Sequence, residues 1–135
     1  MPSHLYIIIG AYGSGKSEFS LHLARCFKAQ GKDVVLADLD VVNPYFRSRE
    51  MQEDFMQEGI DIIAPEGEYK HSDLPMISPR VKGAIQNKAK TVILDVGGDP
   101  AGCRTLGRFE EPIKTRGYNM LYIVNTMRPF TSTPE

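Results

Sequence analysis

The residues best suited to chemistry form a glycine-rich segment near the N-terminus, with the sequence GAYGSGKS from Gly10 to Ser17. The segment matches the pattern GxxxxGK[ST] in full, and it lies between a short apolar run and an amphipathic stretch, as a strand–loop–helix unit requires. Glycines in such a loop let backbone N–H groups turn inward around phosphate oxygens, and the helix N-terminus adds partial positive charge. A plain strand-to-helix turn is the alternative, but the full pattern in this setting favours a nucleotide-phosphate site.

Two residues at the end of this loop have predicted chemical roles. Lys16 is expected to reach the β- and γ-phosphates and to act in catalysis, and the Ser17 hydroxyl is expected to ligate Mg²⁺. The predicted nucleotide contacts of the loop and the residue after it are Gly10, Gly13, Ser14, Gly15, Lys16, Ser17 and Glu18.

Acidic residues follow two later apolar runs. Because Mg²⁺ prefers hard oxygen ligands, a phosphate site of this kind needs a carboxylate nearby. Asp95, directly after the apolar run TVIL, is the predicted metal ligand. Asp38 and Asp40 end another run, and alternation along an extended chain puts both on one side, where either can face the metal or the attacking water. Asp38 is therefore a second candidate metal ligand, with turn formation as the alternative for both residues.

The loop after Asp95 carries another acidic candidate. Gly97 and Gly98 allow this loop to approach the γ-phosphate and to move, as switch loops do. Asp99 follows them and is a second candidate for orienting the attacking water.

Strand and helix signals alternate along the chain. We predict strands at 5–9, 34–37, 60–64, 91–96 and 118–124, and helices at 16–30, 49–58, 81–89 and 104–116. The segments 65–80 and 97–102 are predicted loops. This alternation predicts an α/β fold with a mostly parallel sheet between two helical layers, and the glycine-rich motif makes it a fold of the P-loop type. Ligands of such sheets bind at the carboxyl ends of the strands. Residues 1–135 are expected to form a single domain.

Composition and net charge limit the partners and the cellular location that we expect for the protein. The net charge of −1 gives no general electrostatic reason to expect binding to nucleic acid or an acidic membrane. Cys26 and Cys103 form no CxxC pair, so a disulfide scaffold is not expected and a reducing cytoplasm is the simplest location. The apolar run at 5–9 is too short for a signal-peptide core or a membrane span.

The order of the motifs points to a known group. After the phosphate loop come DLDVVNPYFRSRE, ILDVGGDPAG and IVNTMRP. In this order they resemble the MinD/ParA/CobQ-CobB-type nucleotide-binding superfamily over nearly the whole chain. The resemblance implies that Asp40 orients water, that Asp95 lies on the Mg²⁺ side, that Asp99 belongs to the second switch loop and that Asn125 contacts adenine. The segment starting at Asn125 lacks the lysine and aspartate of a guanine-reading NKxD motif, so ATP is expected rather than GTP.

Three features depart from the family pattern. Many members carry a lysine directly after the first loop glycine, which crosses a dimer interface, whereas this chain has Ala11. Members are usually longer, which leaves open that this chain is the N-terminal part of a longer domain. Nitrogenase iron protein, a member of the group, has a cluster cysteine near Cys103, but Gly102 holds the matching position here, so no cluster is expected.

The sequence thus predicts Mg²⁺-dependent ATP binding and hydrolysis by a switch-type ATPase. A small-molecule kinase and a nucleotide-binding regulatory module without useful turnover are the alternatives. The expected partners are the nucleotide, a protein of unknown identity and, through surfaces other than Ala11, a second copy of the chain.

Overall fold

Strands and helices alternate in the structure, a computed structural model that describes residues 4–11, 13–40, 49–64 and 78–124. The elements in chain order are β1 (Leu5–Gly10), α1 (Lys16–Ala29), β2 (Val34–Asp38), α2 (Arg49–Gln57), β3 (Ile60–Ile63), α3 (Arg80–Gln86), β4 (Thr91–Gly97), α4 (Pro100–Gly107), α5 (Glu110–Arg116) and β5 (Asn119–Tyr122).

The five strands of the described residues form one sheet in the order β3-β2-β4-β1-β5, and every pairing in it is parallel. The register sets Asp38 of β2 beside Asp95 of β4, and Gly10 of β1 beside Gly97 of β4. The sheet therefore brings the carboxyl ends of its three central strands together at one edge, where the sequence places the glycine-rich and acidic residues.

The sheet is covered by helices on both faces. Every residue of β2 and β4 is buried, as the continuous apolar runs of a parallel sheet require. On one face, Ala24 of α1 and Phe55 of α2 pack against alternate strand residues. On the other, Val81 and Ile85 of α3 and Ile113 of α5 complete a second cluster. The predicted α/β fold with two helical layers is confirmed, and the sheet is wholly parallel in the described residues.

Four predicted elements differ from the structure by more than one residue at a boundary. The strand predicted at 118–124 is shorter and spans Asn119–Tyr122. Residues 97–102 are not all loop, because α4 already begins at Pro100, with Asp99 as its N-cap. Residues 104–116 form two helices rather than one, since Pro112 cannot continue a helix interior and instead lies in the first turn of α5. The helix predicted at 81–89 ends at Gln86, where extended Asn87 accepts the Ala89 N–H through its side chain.

Arg116 joins the end of α5 to the end of α3, on the side of the sheet away from the glycine-rich and acidic residues. The Arg116 guanidinium at the end of α5 donates to carbonyl oxygens in and after the last turn of α3, namely those of Ala84, Ile85, Asn87 and Lys90. A cation is favourable there, because the last carbonyls of a helix carry partial negative charge and lack helical partners.

Replacing Arg116 with methionine is expected to lower the free energy of unfolding by about 1–3 kcal/mol, since half-buried carbonyls lose their donors. Urea unfolding measures this loss. The matched control is Arg104→Met on the exposed face of α4, where a change within about 0.5 kcal/mol is expected. Equal losses in both variants would contradict the clamping role of Arg116.

Candidate functional site

The glycine-rich loop joins β1 to α1 as a tight turn. Gly13 and Gly15 have φ values of 81° and 89°, a region that only glycine adopts without strain. The Ser14 N–H donates to the Ala11 carbonyl at 3.0 Å, which closes the turn. The chain therefore enters α1 with its first backbone N–H groups next to the loop, as an anion-binding helix N-terminus requires.

The loop after β4 lies directly against the phosphate loop. The Gly98 N–H donates to the Gly10 carbonyl at 3.0 Å. A β-carbon on Gly98 would come within 3.1 Å of the Gly10 carbonyl carbon, and one on Gly10 would come within 2.5 Å of the Ser14 hydroxyl oxygen. Glycine at position 98 therefore lets the two loops touch, and glycine at position 10 leaves room for the Ser14 hydroxyl within the phosphate loop.

Lys16 is the centre of a buried ion-pair network. Its Nζ lies 2.7 Å from Asp95 Oδ1 and 3.0 Å from Asp40 Oδ2, and all three side chains are at most 4% exposed. The Ser17 hydroxyl donates to the other Asp95 oxygen, Oδ2, at 2.7 Å. The first turn of α1 is thus joined to the ends of β2 and β4 through side chains of opposite charge.

These contacts shift the ionisation of both partners. Burial opposes the charge on Lys16, but the Asp95 and Asp40 carboxylates outweigh it and raise the pKa of Lys16 above its ordinary value. Burial raises the pKa of Asp95 above its ordinary value, although Lys16 and Ser17 oppose that shift. Nearby positive charge therefore favours the ionised form of the Asp95 carboxyl group, which burial disfavours.

The sheet register holds the acidic residues in place. The Leu39 N–H donates to the Asp95 carbonyl at 2.8 Å, which extends the pairing of β2 with β4 by one residue. Asp38 Oδ1 accepts the Asp40 N–H at 3.2 Å, so the first aspartate orients the backbone that carries the second. A β-carbon on Gly97 would lie 3.1 Å from Asp40 Oδ1, which shows how closely that carboxylate covers the end of β4.

The structure brings most of the predicted site residues together. Lys16, Ser17, Asp40 and Asp95 are in direct contact, and Asp38 is buried beside them. Ser14 contributes a buried hydroxyl oxygen that has no hydrogen-bond partner within the described residues, as a polar atom next to a ligand site would.

Other predicted residues lie apart from this cluster. Asp99 Oδ1 accepts the Gly102 N–H at 2.8 Å and so caps α4. Glu18 is exposed in the first turn of α1. Asn125 lies outside the described residues. Cys26 and Cys103 are both free and exposed.

Sequence reasoning missed the pairing of Lys16 with the aspartates, because it assigned the lysine to phosphate and the carboxylates to metal or water. The sequence did contain a signal for this pairing, because the residues that follow neighbouring parallel strands lie at the same edge of the sheet. The missed element was the strand order, which puts β4 between β1 and β2.

The donor set fits a magnesium nucleotide. The buried carboxylates of Asp40 and Asp95 contact the Lys16 ammonium, and the buried carboxylate of Asp38 accepts the Asp40 N–H. Carboxylate oxygens are the hard ligands that Mg²⁺ prefers. The Lys16 ammonium and the N–H groups at the start of α1 supply the donors that phosphate oxygens need.

Comparisons with known proteins agree with this geometry. Among the described residues, no helix is long and apolar enough to cross a membrane. A search of curated proteins found no match to the chain. The family model of the CobQ/CobB/MinD/ParA nucleotide-binding domain matches residues 5–128, which include the phosphate loop and all five strands. The chain therefore belongs to the CobQ/CobB/MinD/ParA nucleotide-binding domain family.

Proposed function

We propose that this domain binds ATP with Mg²⁺ at the phosphate loop and hydrolyses it, as a switch-type ATPase. The observation that carries the proposal is the meeting of Lys16 and Ser17 with Asp40 and Asp95 at the carboxyl ends of adjacent strands. These side chains provide a cation for phosphate oxygens, a hydroxyl and carboxylate for a metal, and a second carboxylate for water.

Ser17 and Asp95 are the residues that would hold Mg²⁺. Their oxygens are already 2.7 Å apart, so both can turn toward one hard cation, directly or through its waters. When bound, Mg²⁺ would offset the negative charge of the phosphates and make the γ-phosphoryl group more open to attack.

Lys16 would change partners when ATP binds. Its ammonium neutralises Asp95 and Asp40 in the structure. Phosphate oxygens in the loop would compete for this ammonium, and the Asp95 carboxylate would then be available to hold Mg²⁺. ATP and Mg²⁺ should therefore bind together, because either one alone leaves buried charge without compensation.

Asp40 is the residue that we assign to the attacking water. Its carboxylate lies between Lys16 and the end of β4, on the side of the loop that joins β4 to α4. It would accept a hydrogen bond from water and so align it with the γ-phosphate. Asp99 would act indirectly, by fixing the start of α4 and hence the end of that loop.

Substitution of the two aspartates should separate the metal role from the water role. Asp95→Asn keeps the shape but loses the charge, so ATP affinity in Mg²⁺ should fall at least about tenfold, or about 1.4 kcal/mol, and should no longer depend on Mg²⁺. Asp40→Asn should leave the affinity within about threefold and slow hydrolysis by about 10²-fold or more. Calorimetric titration and single-turnover phosphate release measure the two effects.

Asp54→Asn, on the exposed face of α2, is the matched control and should change neither quantity. If Asp40→Asn abolished ATP binding but left the turnover of bound ATP unchanged, the roles assigned to the two aspartates would be wrong.

Side-by-side titration tests the choice of nucleotide and the reaction class. ATP is expected to compete with a fluorescent nucleotide better than GTP does, and a tenfold preference for GTP would overturn this assignment. Phosphate release without any added acceptor supports the hydrolase. Turnover that requires a small-molecule acceptor would indicate a kinase, and tight binding without turnover would indicate a regulatory module.

A further inference from the structure

A histidine and a cysteine lie side by side on the exposed surface of α1, and the proposed ATPase reaction uses neither. His22 and Cys26 are one helical turn apart, and both are exposed. The Cys26 Sγ lies 3.7 Å from the His22 Nε2. In an α-helix, residues four positions apart project from the same face, so the backbone itself keeps these two groups adjacent.

The separation of the two atoms matches that of two ligands on one metal ion. Zinc binds sulfur at about 2.3 Å and imidazole nitrogen at about 2.0–2.1 Å with tetrahedral angles, which places the two ligand atoms about 3.6 Å apart. The separation of 3.7 Å in the His22–Cys26 pair is thus close to that between two corners of such a tetrahedron.

We propose that His22 and Cys26 form a two-ligand surface site for a thiophilic divalent cation, Zn²⁺, with water in the two remaining positions. On binding, the Cys26 thiol releases its proton to solvent and the sulfur becomes a thiolate ligand, while the imidazole Nε2 uses its lone pair. Within the described residues no group of three or more His, Cys, Asp and Glu side chains could hold a metal, so the pair supplies two of the four ligands.

This site is chemically distinct from the phosphate site. Its sulfur and imidazole ligands favour Zn²⁺, whereas the oxygen ligands around Ser17 and Asp95 favour Mg²⁺. The two sites are on the same helix, since Ser17 lies in the first turn of α1 and His22 lies in the second.

The chain contains its own control for thiol chemistry. Cys103 on α4 is also free and exposed. The residue four positions before it is Asp99, which is committed to capping α4, and the residue four positions after it is Gly107. Cys103 therefore has a similar exposure but no imidazole one turn away on its own helix.

Cobalt titration tests the site, because a thiolate bound to Co²⁺ gives a charge-transfer absorption in the near ultraviolet that oxygen ligands do not give. The titration is done in excess Mg²⁺, and Zn²⁺ is then added to displace the cobalt. The wild-type chain and Cys103→Ser should show the absorption with equal affinity, and Cys26→Ser should lose it. His22→Gln should weaken cobalt binding at least tenfold. These side chains are exposed, so all variants should fold.

Equal cobalt affinity in the wild-type chain and His22→Gln would overturn the proposal, because a single thiol would then account for the binding. Loss of the absorption in Cys103→Ser, or its absence from the wild-type chain, would also overturn it. The proposed ATPase activity is independent of this result, since Cys26→Ser should hydrolyse ATP at the wild-type rate.

Discussion

Replacing Lys16 with alanine is expected to abolish Mg²⁺-dependent ATP binding and turnover. The ammonium would neutralise charge that develops on the β–γ bridge and the γ-phosphate oxygens during transfer, and water cannot supply an equivalent fixed charge. Affinity should fall at least about a hundredfold, or about 2.7 kcal/mol. Calorimetric titration with ATP and Mg²⁺ measures this effect, and unchanged affinity would contradict the assignment of the phosphate loop.

The same substitution should also destabilise the unliganded protein. Lys16 is the cation between the buried carboxylates of Asp95 and Asp40, and its removal leaves them facing each other. Breaking one side of a buried ion pair costs about 3–5 kcal/mol, because a charge remains buried without a partner. Urea unfolding measures the loss. Lys114→Ala, which breaks an exposed pair with Glu110 on α5, is the control and should leave the free energy of unfolding nearly unchanged.

The loss in Lys16→Ala should depend on pH in a defined direction. Burial raises the pKa of Asp95 above 3.8, and without Lys16 this pKa rises further. A carboxyl group with a raised pKa in the folded state binds its proton more tightly there than in the unfolded chain. The destabilisation is therefore fully present at pH values above the folded-state pKa of Asp95. It becomes smaller as the pH falls through this pKa towards the pKa of Asp95 in the unfolded chain. The stability that the variant loses relative to wild type should therefore decrease as the pH is lowered from about 8 towards about 4.

A double substitution separates stability from binding. Lys16→Ala combined with Asp95→Asn removes both the cation and one buried anion, so it should recover much of the stability that Lys16→Ala loses. It should not recover ATP binding, because the phosphate ligand and the metal ligand are both absent. A double variant no more stable than Lys16→Ala would contradict the view that Lys16 compensates buried charge.

Gly102→Ala is the second substitution with a large expected effect. A β-carbon at this position would overlap the Gly97 carbonyl oxygen and lie 2.8 Å from its carbonyl carbon. Backbone atoms cannot rotate out of the way, so α4 would have to move away from β4. Overpacking of this kind costs about 1–3 kcal/mol, and we expect about 3 kcal/mol because the clash is with backbone.

The effect should extend to the nucleotide site. Gly97 lies beneath the Asp40 carboxylate, so displacement of the end of β4 would also disturb Asp40. We expect a slower ATPase rate in Gly102→Ala along with the lower free energy of unfolding, measured by phosphate release and urea unfolding. Gly107→Ala is the matched control on the same helix, because an added β-carbon there meets no atom within 4 Å. A Gly102→Ala variant as stable as Gly107→Ala would refute the packing argument.

The parts of the fold that follow from local rules could be predicted from the sequence. The phosphate loop is predictable because its glycines, lysine and serine lie within eight consecutive residues, and Asp95 is predictable because it directly follows the apolar run TVIL. The N-cap of α4 could also be predicted from the sequence, since Asp99 followed by Pro100 is a typical helix start. It was missed because the glycines before it favoured a loop.

Features that depend on distant residues could not be predicted in this way. The Lys16–Asp95 ion pair joins residues 79 positions apart, and it requires the order of the strands in the sheet. The contact of Arg116 with the carbonyls after α3 depends on how α5 lies beside α3. The close approach of Gly102 to Gly97 is likewise a consequence of tertiary packing, and nothing in a glycine's local sequence reveals it.

The connection between β4 and α4 is only two residues long, and its shortness has a mechanical consequence. Gly98 donates to the phosphate loop through its N–H, and Asp99 caps the helix through its side chain. Two residues span at most about 7 Å, so this linker has little slack with which to absorb a displacement. Any shift of the Gly98 amide relative to Gly10 must pass to α4 as a movement of the whole helix. The exposed face of α4, which carries Cys103, is thus the surface on which a label would register such a movement.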